Sequence, residues 1–206
     1  MVEMEDAAGE VVTVVMETLE ERVKRVLQEE VSIATYNPAW PLMFEEEKRH
    51  LLECLPNDLI RRIEHFGSTA VPNLAAKPVV DILVEVTSLE ETKNRIVPLL
   101  EAQGYDYFWR TDVSPAYAWF IKRDSVGKRT HHIHMVESDF EHWDRLLFRD
   151  YLIDHPQIAK DYEALKRNLA SAHEHDRTAY TKGKAEFVLK VTRQAKEFYA
   201  GDRITG

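Results

Sequence analysis

The segment HFGSTAVPNLAAKPVVDILVEV, His65 to Val86, decides how this chain reads. Its end, VVDILVEV, alternates as a β-strand, with Val80, Ile82, Val84 and Val86 on one face and Asp81, Leu83 and Glu85 on the other. The aliphatic face is core. A carboxylate in such a strand is destabilising unless something solvates it, which makes Asp81 a candidate site residue. Upstream, Gly67, Ser68 and Thr69 follow the strand-like run LIRRIEHF. They offer backbone amides, two hydroxyls and room for close approach, all features of an anion cradle. Lys77, just before the strand, is placed to give a point charge to a phosphate. The same Gly-Ser-Thr step also suits an ordinary turn, and the residues alone leave both readings open.

Further strands are expected at YDYFWR, YAWFIKR and THHIHMV, the last two joined by the turn-like DSVGK. A helix is expected from Leu89 to about Ala102, bent or shortened by Pro98 and stopped at Gly104. Before the segment, Pro41 suits the first turn of a helix running through LMFEEEKRHLLECL. From Glu141 onward the periodicity gives three helices: HWDRLLFRDYLIDH, PQIAKDYEALKRNLASAH and AYTKGKAEFVLKVTRQAKEFYA. A mixed sheet followed by helices is an α+β architecture, with the helices expected on one side of the sheet.

THHIHMV as a strand puts His132 and His134 on one face and Ile133 and Met135 on the other. An H-x-H pair beside a carboxylate from an adjacent strand is a three-ligand set for Zn²⁺, Mn²⁺ or a similar ion, with positions open for substrate. One histidine could instead act as a general base, or His131, His132 and His134 could all be structural. Glu85 does not join the set, because along the strand it lies roughly 13 Å from Asp81.

The chain has 206 residues and a net charge of -9. Residues 1–30 hold nine acids against three bases and read as an acidic leader, flexible to about Met16, then a helix with Leu19, Val23, Val26 and Leu27 at helical spacing. Residues 31–200 then form one domain. Such a surface does not coat nucleic acid, although a local basic pocket for one phosphorylated small molecule is compatible with it. No stretch approaches the roughly 20 apolar residues of a membrane span, and the acidic start does not suit a secretory signal, so a cytoplasmic placement is expected. Cys54, the single cysteine, sits in the apolar helical pattern HLLECL and is expected to pack.

The segments YNPAWP, EHFGSTAVPNLAAKPVVDILVEV, HHIHMV, FRDYLIDHP and YTKGKAEFV, in this order from about Val31 to Tyr199, resemble the GrpB family. The resemblance implies a fold similar to the polymerase-β-like nucleotidyltransferases, in which a Gly-Ser step follows the first strand. In that pattern a later strand bears Asp-x-Asp or Asp-x-Glu, and a third carboxylate comes from a further strand. Gly67 and Ser68 match the first feature and Asp81 the first acid, whereas Leu83 stands where the second acid belongs. The resemblance also marks Arg149, Tyr180 and Lys184 as motif positions and candidate substrate contacts.

The implied activity is transfer of a nucleotidyl group to a small acceptor. The ligand would be held by Gly67, Ser68, Thr69 and Lys77, with Mg²⁺, Mn²⁺ or Zn²⁺ on Asp81, His132 and His134. Two alternatives stay open: a non-catalytic ligand-binding module on the same fold, and a metal-dependent hydrolase using Asp81, His132 and His134.

Overall fold

The structure, a computed structural model, describes residues 2–5, 11–14, 17–28, 30–111 and 115–202. In the acidic leader, strand β1 (Val2–Glu5) pairs antiparallel with β2 (Val11–Val14), regular structure where a flexible segment is expected. Other parts of the leader lie outside the described residues. Helix α1 (Leu19–Gln28) follows, and of its four apolar positions only Val26 is buried; Leu19, Val23 and Leu27 face solvent.

The main sheet has five strands in the order β3-β4-β7-β6-β5. They are β3 (Ile60–Phe66), β4 (Val80–Val86), β5 (Asp106–Arg110), β6 (Tyr117–Arg123) and β7 (Arg129–Val136). Only β4 and β7 run parallel; the other neighbours are antiparallel, which makes the sheet mixed. Asp124 closes the β6–β7 turn, its carboxylate accepting from the amides of Val126 and Lys128. Strand β4 has a hydrogen-bonded neighbour on each edge and layers on both faces, which is why it reads as a nearly continuous apolar run.

Val80, Ile82, Val84 and Val86 pack with Ile133 and Met135 against α2 (Trp40–Cys54), through Trp40, Phe44 and Leu51. Ile96 and Leu100 join them from the helical stretch after β4. That stretch is not one regular helix. It consists of α3 (Leu89–Glu91), a wider π turn at Thr92–Ile96 and α4 (Val97–Glu101), the widening falling just before Pro98, which cannot donate a backbone bond. Helical segments therefore cover both faces of the sheet.

On the second face Leu146 of α5 (Asp144–Asp154) packs against Leu83, and the C-terminal helical layer that α5 begins is completed by α6 (Pro156–Ala172), α7 (Arg177–Gly183) and α8 (Ala185–Asp202). The last two replace the single helix expected from Ala179 onward. Gly183 lies against Leu169, whose Cδ2 would be 2.5 Å from an added Cβ, and the break after it places Lys184 at the junction. A cluster of Phe148, Leu152, Tyr162 and Val191 encloses Val71 and Leu74, fixing the loop that carries the Gly-Ser-Thr step onto these helices.

Candidate metal and phosphate site

The parallel ladder of β4 and β7 sets Asp81 opposite His132 and Leu83 opposite His134. Side-chain parity then aims Asp81, His132 and His134 to the same face, and one ligand atom from each lies within 4.8 Å of the others. His132 Nδ1 is 3.0 Å from Asp81 Oδ1, and His134 Nδ1 is 3.2 Å from the Tyr117 hydroxyl. One carboxylate and two imidazoles at this spacing fit a single transition-metal ion after a small inward movement.

Burial works to raise the Asp81 pKa, but the hydrogen bond from His132, with attraction from the Lys77 ammonium, outweighs it and holds the carboxyl well below its usual range. Burial lowers His132 to about 4 against the opposing pull of Asp81, and lowers His134 well below its ordinary value. Both rings are therefore neutral near pH 7, the form in which imidazole binds metal.

Gly67 is what lets the loop approach. Its φ is +73°, and an added Cβ would lie 2.5 Å from Asp81 Oδ2. Ser68 hydrogen-bonds Tyr162, a residue the sequence reading passes over. Thr69 is buried, its hydroxyl 3.0 Å from His65 Nε2, so it braces the loop from behind.

Lys77 and Lys184 flank the buried Tyr180 ring, their ammonium nitrogens 5.2 and 4.6 Å from its centre. Burial depresses both, Lys184 to about 8, and on Lys77 repulsion from Arg177 and Lys184 adds to the depression. Asp81 attracts both. The two lysines from the sequence reading thus share one ring, Tyr180, and both feel the charge of Asp81. Arg149 is held elsewhere: it donates to the His65 carbonyl at 2.7 Å and pairs with Glu64 and Asp150, tying α5 to β3.

Lys166 is a further cation absent from the sequence reading. Fully buried, it donates to the Ala75 carbonyl, and burial with repulsion from Lys184 lowers it to about 7. The signal for it was present: Ala159, Tyr162, Lys166 and Ala170 recur at helical spacing and form the buried side of α6. Leu83 has no exposed surface and packs with Phe66, Tyr117, Val136, Phe140 and Leu146, so the position of the missing acid is part of the core.

Residues 30–194 match the family described as GrpB protein. The chain is 39% identical over 172 residues to the UPF0157 protein YqkA of Bacillus subtilis, covering 83% of this chain and 49% of that one, so it spans about half of that relative. It is 35% identical over 168 residues to the glutamate-rich protein GrpB of Alkalihalophilus pseudofirmus, covering 80% of this chain and 95% of the relative. Among solved structures, the conserved protein GrpB from Enterococcus faecalis superposes with a TM-score of 0.73 at 37% identity, over 82% of this chain and 99% of that one. With the mixed sheet and C-terminal helices in place, these matches establish that the chain belongs to the GrpB family.

Proposed function

We propose that this protein binds a nucleotide or another phosphorylated small molecule, and transfers a nucleotidyl group from it to a small acceptor with the help of one divalent ion. The observation that carries the reading is the convergence of Asp81, His132 and His134 on one face, with Lys77 and Lys184 near enough to feel the Asp81 charge. The fold is consistent with the polymerase-β-like pattern, in which the Gly-Ser step cradles phosphate. The donor set, two imidazoles and one carboxylate, favours Zn²⁺ or Mn²⁺ over Mg²⁺, which prefers oxygen ligands.

When bound, such an ion supplies Lewis-acid polarisation of a phosphoryl oxygen. Gly67 admits the phosphate close to the backbone, and Ser68, held by Tyr162, presents its hydroxyl. Lys77 and Lys184 would neutralise the charge that grows on pyrophosphate as the acceptor oxygen bonds to the α-phosphorus, the α–β bridging P–O bond breaks and the acceptor's proton passes to solvent. With Leu83 in the core and Glu85 roughly 13 Å further along the strand, Asp81 has no second acid within reach on β4, and the reading is a one-ion reaction.

The test is thermal stability with each common nucleoside triphosphate plus Mn²⁺ or Zn²⁺, together with a pyrophosphate-release assay. A rise in Tm that Asp81→Ala abolishes, with release of pyrophosphate, supports the reading. No rise with any combination removes it. The buried Leu83 favours a second reading, a module that binds without turnover; a metal-dependent rise without pyrophosphate release would select that one.

A further inference from the structure

A basic pocket of about 460 Å³ opens beside the site, lined by Arg25, Lys77, Arg123, Lys128, Arg129 and Arg177. Neither the Gly-Ser-Thr step nor Asp81, His132 or His134 belongs to its wall. The sheet order assembles it. The start of β4, the start of β7 and the end of β6 fall at one end of the sheet, which brings Lys77, Arg129 and Arg123 together. Arg123 is the register partner of Arg129, a like-charge pairing that is destabilising across strands unless an anion answers it. From the other side, the Val31 amide donates to the Glu174 carbonyl, tying residues 30–32 beside the turn before α7, and Arg177 enters from the first residue of α7.

The charge of this lining is one-sided. Among the described residues it holds six basic side chains and one carboxylate, the exposed Glu30. Asp106 contacts both Arg25 and Arg123 at 2.9 Å and answers part of their charge, as Glu17 does for Arg25. Lys77, Lys128, Arg129 and Arg177 add basic groups that a single lining carboxylate does not balance in number. In a chain with a net charge of -9, this concentration runs against the average of the surface, and a concave basic lining focuses its field on an anion. Lys128 is exposed and Arg129 buried, so the lining runs from the surface inward. Guanidinium forks match phosphate oxygens in pairs, and the volume falls within the roughly 300–1,000 Å³ of small-ligand sites.

We propose that this pocket is a second phosphate subsite, holding a phosphate-bearing part of the ligands that lies beyond the Gly-Ser loop. Asp81 stands between the two: the end of β3 delivers the Gly-Ser step on one side, and the ends of β7 and β6 deliver the pocket on the other. The inference rests on the proposed function for its place in the reaction, and its binding chemistry is separate. Two sources share that chemistry, the terminal phosphates of a nucleoside triphosphate and the phosphate of a phosphorylated acceptor.

Isothermal titration of the full chain, in low-salt buffer stripped of divalent ions, tests it with tripolyphosphate and ribose 5-phosphate as probes and ribose as the uncharged control. At least one phosphate probe is expected to bind, and ribose is not. Lys128 is exposed and Arg177 half-buried, so Lys128→Ala and Arg177→Gln should fold, and each is expected to weaken binding about tenfold. Glu30→Gln removes the lining carboxylate and is expected to tighten binding, a change of sign that general loosening of the fold does not produce. Ser68→Ala alters the other cradle and is expected to leave the affinity within about twofold. The probe that binds more tightly names the source: tripolyphosphate the nucleotide tail, ribose 5-phosphate the acceptor. Failure of both probes to bind, or binding that Ser68→Ala weakens while Lys128→Ala and Arg177→Gln leave it unchanged, overturns the proposal. Because no divalent ion or turnover enters this measurement, absence of pyrophosphate release removes the nucleotidyl-transfer reading and leaves the subsite standing.

Discussion

At the scale of single residues, Gly67 and Leu83 carry the most consequence. Any side chain at Gly67 must accept a positive φ and would push on the Asp81 carboxylate from 2.5 Å. Gly67→Ala is therefore expected to destabilise by about 2 kcal/mol, from left-handed strain plus the clash, and to weaken ion binding through the displaced acid. Urea unfolding and a Mn²⁺ titration measure the two effects; unchanged values for both would mean that the loop does not set Asp81. Leu83→Asp restores the acidic pattern on paper, but it buries a carboxylate among Phe66, Tyr117 and Phe140. The expected result is a loss of about 4 kcal/mol rather than a gain of activity. Strand parity made Asp81, His132 and His134 legible as one face. The same parity could not say that Leu83 would be enclosed, because Phe140 and Leu146 come from segments far along the chain.

At the scale of elements, the strands were legible from their β-branched and aromatic residues and the turn signals between them; β6 spans Tyr117–Arg123, matching the expected YAWFIKR. Less legible were features set by contacts between elements: the break at Gly183, the π turn before Pro98, and the docking of α1, which buries Val26 and pairs Arg22 with Glu101 and Arg25 with Asp106. The contact of α2 with the sheet is of this kind. Glu47 of α2 is buried and accepts from the Tyr105 hydroxyl at 2.5 Å and from the Lys122 ammonium of β6. Lys122→Ala leaves a carboxylate buried with one donor, and a loss of about 3 kcal/mol is expected. The double change Glu47→Leu with Lys122→Met removes the isolated charge and should recover most of that loss. Denaturant midpoints of the three proteins decide it, since a double variant no more stable than the single one contradicts this account of the pair.

At the scale of the whole molecule, the fold buries several histidines in the neutral form, with a consequence for acid stability. Burial lowers His65 and His132 to about 4 and His142 to about 3, with His134 also well below the ordinary 6.5. Between pH 6.5 and about 4 the unfolded chain takes up protons that the folded chain refuses, so unfolding gains free energy as pH falls. Stability from this source is complete above pH 6.5 and is lost as the pH drops toward 4. Each such histidine contributes a slope approaching about 1.4 kcal/mol per pH unit within that window. The four residues come from β3, β7 and the turn before α5; His132, His134 and His142 lie on the second face and His65 on the first, stacked on Phe44, so the sensitivity belongs to the assembled layers on both faces of the sheet rather than to one element. Urea midpoints at pH 7 and pH 5 should differ sharply. His142→Leu, which replaces a ring packed against Tyr117 and Phe140, should reduce the difference by about one proton's worth. Equal midpoints at the two pH values would show that these histidines titrate alike in the folded and unfolded chain.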